Sequence, residues 1–310
     1  MFLKLKEPCL NIIRKLTVSS NWNIGFVQDS IDSIMSQKHI SSVKWMKHSF
    51  KDRFFADPFI LSLDEEYIYI LAEECNFKDP KGIIVELVVD RKTFTLVNRT
   101  VLLDVQTHLS YPAIFRECDT VWVYPENGQS GVQNIYKYDY ASRTLFDKNE
   151  MLSEPLADST IFKHNGKYYL FATKYPNTQS DTYIYVSDKL ESGYDLFCQS
   201  PIDNRKNVTR SAGDFFIHEE KIIRPVQNCT KRYGQAIVFK LVNLSGGLYC
   251  EEELFELHPI AGRYGRGLHT INIYGDIIVI DGYGYLYPII GPLLFFMKNS
   301  IKYILNIFKM

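Results

Sequence analysis

The sequence predicts an all-β chain folded as a five-bladed β-propeller, with short helices at its two ends. Three observations carry that expectation. A degenerate motif recurs five times, roughly every 50 residues: Ala56-Asp57-Pro58-Phe59-Ile60, Ser110-Tyr111-Pro112-Ala113-Ile114, Ala157-Asp158-Ser159-Thr160-Ile161, Ser211-Ala212-Gly213-Asp214-Phe215 and Leu268-His269-Thr270-Ile271-Asn272. Each copy opens an apolar run that ends at a turn signal, such as Asp64-Glu65-Glu66 or His164-Asn165-Gly166. A second apolar or aromatic run follows each turn: Tyr67–Leu71, Val121–Tyr124, Lys167–Phe171 and Ile277–Ile280 among them. A repeat of this length with several strands per unit is the pattern of a propeller blade.

The elements follow in order. Residues 1–19 form a short amphipathic helix in this reading, with Leu10, Ile12, Ile13 and Leu16 set among Arg14 and Lys15. Asn21–Val27 is a strand assigned to closing the ring against the last blade, and Val43–Met46 is a further strand. The repeats then supply outer strands at Gly82–Val89, Thr93–Leu102, Asn134–Asp139, Thr182–Ser187 and Gln235–Val242. The propeller is thus placed over residues 20–284. Residues 285–310 form an apolar and basic tail interrupted by Pro288, Gly291 and Pro292. From Leu293 the pattern is helical, and Lys298, Lys302, Asn306 and Lys309 share one stripe. Such a helix suits the surface of an anionic membrane. Docking on the propeller with the lysines outward is the alternative.

Composition narrows the function. The chain has 310 residues and a formal net charge of −1, which argues against a polyanionic partner and so against nucleic acid. The six cysteines show no CxxC pair and no regular spacing. They read as reduced thiols of a cytoplasmic protein, with no metal site. The first 16 residues, broken by Lys4, Lys6, Glu7 and Pro8, lack the apolar core of a signal peptide, and no segment is long enough to span a bilayer. Dinucleotide, Walker and HExxH motifs are absent, and no cofactor is expected. The glycine-rich stretch Gly262–Gly267 is expected to lie over the mouth, offering Arg263 and Arg266 to an anion.

In a propeller blade, the residue opening the first strand and the residue ending the antiparallel second strand meet at one mouth. The pairs are Asp57 with Glu73 or Glu74, Tyr111 with Glu126, Asp158 with Thr173, Ala212 with Gln227, and His269 with Asp281. Arg210 and Arg224 flank the fourth pair, and His108 precedes the second. Paired carboxylates suit glycosyl chemistry, where one acid protonates a leaving oxygen and another carboxylate acts as base or nucleophile. Arginines hold phosphate or carboxylate groups bidentately. The candidate catalytic residues are therefore Asp57, Asp158, Glu74 and Glu126. The candidate substrate-binding residues are His108, Tyr111, Arg210, Arg224, Gln227 and His269. Structural alternatives stand beside each of these. Asp57 and Asp158 could cap turns, Glu74 and Glu126 could be solvated strand ends, and the arginines and histidines could be structural partners of nearby acids.

The ordered set Phe55-Ala56-Asp57-Pro58-Phe59, Glu73-Glu74, His108-Leu109-Ser110-Tyr111-Pro112, Pro125-Glu126, Asp158-Ser159-Thr160, Arg210-Ser211-Ala212-Gly213, Arg224-Pro225-Val226-Gln227 and Tyr233-Gly234 resembles one known family. That family is the N-terminal propeller domain of glucosamine inositolphosphorylceramide transferase, with its stand-alone bacterial relatives. The likeness covers roughly residues 20–280. More distantly, the chain is similar to the arabinanase, xylosidase and invertase-type hydrolase propellers, in which Ala-Asp-Pro carries a catalytic aspartate. That resemblance implies a role for Asp57. It breaks at blade two, which opens with Tyr111, and the transferase's separate C-terminal domain has no counterpart in this sequence. The expectation is a carbohydrate-active protein of bacterial surface polysaccharide or glycolipid assembly. It would act on a phosphate- or lipid-linked sugar, in the cytoplasm or peripherally on the inner membrane. The alternative is a non-catalytic glycan-binding module that partners a separate glycosyltransferase. A third option is a hydrolase that trims misassembled intermediates.

Overall fold

A computed structural model describes residues 18–202, 205–245 and 247–297. The helix expected over residues 1–19 and the lysine stripe expected over residues 298–310 fall, apart from residues 18 and 19, outside the described residues. Residues 18–20 are irregular.

Among the described residues, twenty strands form five four-stranded antiparallel sheets. Blade one is β3 (Arg53–Leu63), β4 (Tyr67–Asn76), β5 (Gly82–Asp90) and β6 (Leu96–Leu103). Blade two is β7 (Ser110–Glu117), β8 (Thr120–Glu126), β9 (Gln133–Asp139) and β10 (Thr144–Leu152). Blade three is β11 (Leu156–His164), β12 (Lys167–Lys174), β13 (Tyr183–Ser187) and β14 (Asp195–Leu196). Blade four is β15 (Phe216–His218), β16 (Lys221–Asn228), β17 (Ala236–Ser245) and β18 (Leu248–Leu257).

Blade five is composite. Its inner strands β19 (Ile271–Tyr274) and β20 (Ile277–Gly284) come from the end of the propeller. Its outer strands β1 (Asn21–Val27) and β2 (Val43–Trp45) come from the start, with Asn21 opposite Gly284 and Val27 opposite Ile278. The ring closes because the N-terminal strand satisfies the free edge of β20, which would otherwise present unpaired amides and carbonyls.

Between β1 and β2 lies a helix absent from the sequence reading, α1 (Ile31–Gln37). Ser30 caps it by accepting a hydrogen bond from the Ser33 amide at 3.2 Å, and Ile34 buries its apolar stripe. The core consists of layers between blades. Phe59, Leu71, Val123 and Leu170 fill one layer, and Ile24, Phe55, Ile70 and Leu87 another. Ile34, Phe239 and Ile278 fill a third, and Phe171, Ile184 and Tyr249 a fourth.

One irregularity repeats. In blades one, two and three, the inner strand carries a bulge at the motif position. The register slips between Ala56 and Phe59, between Ser110 and Ala113, and between Ala157 and Thr160. The first extra residue in each is left-handed: Asp57 at φ 49°, Tyr111 at φ 44° and Asp158 at φ 48°. Non-glycine residues pay about 1–2 kcal/mol for this conformation, and strain of this kind gathers where side chains are re-aimed. In blade four Gly213 takes φ 128°, and a Cβ there would lie 1.9 Å from the Ile271 carbonyl oxygen.

A carboxylate mouth as candidate active site

A cavity of about 260 Å³ opens beside these bulges, with Asp57 among its lining residues. Asp57, Glu73, His108, Glu126, Tyr175, Arg210, Tyr233, His269 and Trp22 are among its lining residues. Each bulge is held by a neighbour's oxygen. The Asp57 amide donates to Asp281 Oδ2 at 3.1 Å, the Tyr111 amide to Asp57 Oδ2 at 3.1 Å, and the Asp158 amide to Glu126 Oε2 at 3.0 Å. The Gly213 amide donates to the Tyr111 hydroxyl at 2.8 Å. The strained backbone and the acidic ring thus support one another.

Two cations organise the acids. Arg210 Nε donates to Asp158 Oδ2 at 2.8 Å, and its Nη2 to Glu126 Oε2 at 3.3 Å. Gln227 donates to Asp158 Oδ2 at 2.7 Å. Burial acts to raise Asp158, but the Arg210 charge overcomes it and holds this carboxyl below the usual range. Glu126 moves the other way. Burial first, and then the Asp158 charge, push it up to about 8 against the pull of Arg210. The Tyr175 hydroxyl donates to its other oxygen at 2.6 Å. Two adjacent carboxyls driven apart in this way make an acid that keeps its proton beside a base that has lost it.

The second cation is His269. Its Nδ1 lies 2.6 Å from Asp281 Oδ2 and its Nε2 3.6 Å from Asp57 Oδ1. Burial lowers this imidazole, but Asp281 and Asp57 outweigh that and hold it at about 8. Trp22 stacks on the ring at 4.1 Å between centroids, an apolar and π-rich wall that tolerates the charge. Asp57 accepts from the Thr270 hydroxyl at 2.8 Å and is raised to about 6, chiefly by burial. Glu73 is raised well above its ordinary value by burial and by the surrounding acids. Among the described residues, Asp57, His269 and Asp281 are the grouping able to hold a metal ion, their ligand atoms lying within 4.8 Å of one another. Both imidazole nitrogens already face carboxylates, so a cation there would have to displace the histidine proton.

The placement of the sequence candidates is uneven. Asp57, Glu126, Arg210, His269 and His108 line the cavity, His108 with its Nε2 3.4 Å from Glu73 Oε1, whereas Asp158 and Gln227 do not line it: Asp158 is buried and accepts hydrogen bonds from both Arg210 and Gln227. Three further candidates do not line the cavity either. Glu74 points to the opposite side of β4 from Glu73, where Arg53 (2.7 Å) and Arg99 bind it. Successive strand residues alternate faces, so only one of the two glutamates could reach the mouth. Arg224 is 1% exposed; it pairs with Glu251 at 3.0 Å, donates to the Thr209 carbonyl and lies over the Phe171 ring. Tyr111 is buried beneath the mouth, its hydroxyl 2.9 Å from Thr160 Oγ1. Its role is to tie blades two, three and four together at the axis.

The sequence reading passed over Trp22, Tyr175, Tyr233 and Thr270. Tyr233 lay within a quoted motif, whereas Trp22 reaches the mouth only because β1 joins the last blade. Arg263 and Arg266 do not line this cavity.

Residues 28–261 match the family of the glucosamine inositolphosphorylceramide transferase 1 N-terminal domain. The chain belongs to this family. A transferase of that name from Arabidopsis thaliana is 27% identical over 235 residues, covering 73% of this chain and 30% of the relative. Its counterpart from Oryza sativa subsp. japonica is 25% identical over 158 residues, covering 49% and 21%. The chain therefore spans about a third or less of the length of these relatives. The fold is shared more widely. An α-L-arabinofuranosidase from Podospora anserina superposes with a TM-score of 0.56 at 8% identity, covering 75% of this chain and 92% of that one. A thermostable family-43 glycoside hydrolase gives 0.52 at 12%, covering 68% and 78%. An exo-beta-1,3-galactanase from Phanerochaete chrysosporium gives 0.51 at 12%, covering 64% and 48%. The protein is thus a propeller of a carbohydrate-related family, in a fold that glycoside hydrolases also use.

Proposed function

We propose that the mouth takes one sugar unit of a phosphate- or lipid-linked glycan and exchanges protons with it. The setting would be assembly of bacterial surface polysaccharide or glycolipid at the cytoplasmic side of the membrane. The observation that carries this reading is the split pair Glu126 and Asp158. Glu126 holds its proton up to about 8, while Arg210 keeps Asp158 ionised beside it. Glu126 is the general acid in this reading and Asp57, at about 6, the base. Arg210 and His269 stabilise negative charge. The cavity of about 260 Å³ matches a single sugar ring more closely than an oligosaccharide, since sites for larger ligands run to roughly 300–1,000 Å³.

The test is incubation of purified protein with nucleotide-linked and lipid-linked sugars, read by mass spectrometry. Product should form with the wild type and fall about 10²–10⁴-fold in Glu126→Gln and Asp57→Asn. In the native host, unchanged glycan structure and amount in both Asp57→Asn and Asp158→Asn would refute the catalytic reading. A second reading, glycan binding beside a separate glycosyltransferase, draws on the low exposure of the acids: 5% for Asp57 and 3% for Glu126. It expects saturable sugar binding with no product.

A further inference from the structure

A second cavity, of about 590 Å³, lies between the outer strands of blade five, the loop around Arg263 and the start of the C-terminal segment. It shares no lining residue with the mouth. Lys47, Lys51 and Arg263 line it, and among the described residues no carboxylate does. Trp45, Tyr264 and Tyr287 add aromatic surface. Among the described residues, His48 Nδ1 at the cleft is buried with no hydrogen-bond partner. A buried acceptor left unpaired calls for a hydroxyl or amide from a ligand. The segment that follows, beginning at the cleft residues Leu286 and Tyr287, presents apolar side chains to solvent. Ile289 is 89% exposed, Leu293 63% and Phe296 70%. No helix among the described residues is long and apolar enough to cross a membrane.

We propose that this cleft holds the phosphate of an anionic phospholipid headgroup, with residues 289–297 seated in the same membrane leaflet. The three cations match the phosphate. The aromatic rings sit at the headgroup level, where tyrosine and tryptophan concentrate. The exposed isoleucine, leucine and phenylalanine side chains bury themselves among acyl chains, as in interfacial segments. The membrane association invoked under the proposed function gains a specific contact here, although the cleft stands on its own residues and binds whether or not the mouth turns over.

Co-sedimentation of the full chain with vesicles tests this. Binding should be seen with phosphatidylcholine vesicles containing phosphatidylglycerol, and should be weak with pure phosphatidylcholine. The triple variant Lys47→Glu, Lys51→Glu, Arg263→Glu should bind at least about tenfold more weakly, since each basic residue near an anionic surface matters. Leu293→Ser with Phe296→Ser should also lose binding, while circular dichroism confirms that both variants fold. Asp57→Asn should bind as the wild type does, which separates this test from that of the mouth. Equal binding to both vesicle types, no binding at all, or a triple variant that binds like the wild type would each overturn the proposal. Retained vesicle binding in the Leu293 and Phe296 variant would show that residues 289–297 do not seat in the leaflet, which also overturns it.

Discussion

Glu73 and Glu74 are neighbours in the chain, yet one lines the mouth and the other anchors Arg53 and Arg99 on the far side of its strand. Glu73→Gln should therefore alter sugar binding at the mouth with little loss of stability. Glu74→Gln should cost about 3–5 kcal/mol, the scale of a broken buried pair, and leave binding intact in the folded fraction. Urea unfolding with a sugar-binding assay separates the two. Arg210 offers a sharper case. Arg210→Met leaves Asp158 as an uncompensated buried charge, for a loss of about 3–5 kcal/mol. Adding Asp158→Asn should return much of that loss, because the buried charge goes with it. A double-mutant cycle in urea reads this, and additive losses would contradict the assigned pairing.

At the scale of elements, the three bulges do what regular strands cannot. The extra residue and the left-handed φ bring Asp57 to the cavity and Asp158 to Arg210, while Tyr111 stays in the core layer beside Phe59 with its hydroxyl at Thr160 and Gly213. Blade four keeps glycine for the same reason in reverse, since Gly213 passes too close to Ile271 for any side chain. Gly213→Ala is expected to destabilise by at least about 2 kcal/mol through backbone clash and strain. Tyr111→Phe, which strips the Gly213 amide of its acceptor, should cost about 1–3 kcal/mol. Thermal unfolding checks both. The motif positions were legible in the sequence because Asp-Pro, Tyr-Pro and Asp-Ser recur in step. Their bulges were not, because an extra residue shows only once the partner strand's register is known. The same blindness placed Arg224 at the mouth. Its neighbours Glu251 and Phe171 come from an outer strand and from another blade, and no local pattern announces them.

For the whole molecule, the acidic ring sets a pH dependence whose sign can be worked out. Asp57 rises from 3.8 to about 6 on folding, Glu126 from 4.5 to about 8 and His269 from 6.5 to about 8. In each case the folded state binds more protons than the unfolded chain, so stability falls as pH rises between the two values. The three windows together cover about pH 4 to 8. Asp158, held low, acts oppositely, and its contribution is lost only in acid. The melting temperature should therefore decline from pH 6 to pH 8.5, and the decline should be shallower in Glu126→Gln. A melting temperature that climbs over that range would contradict the protonated state assigned to Glu126.

The periodic motifs, the apolar runs and the turns between them were enough to specify five antiparallel sheets and a polar mouth. They could do so because blade formation is local: each hairpin pairs strands adjacent in the chain, and side-chain alternation follows from sequence spacing alone. The working set at the mouth came from longer-range geometry. Trp22 meets His269 through ring closure, Arg210 meets Glu126 across two blades, and the Asp57 amide finds Asp281 from opposite ends of the propeller. Protonation belongs to that second class as well. Whether Glu126 or Asp158 keeps the proton depends on which of them a buried guanidinium faces more closely, a distance the linear order of residues does not contain.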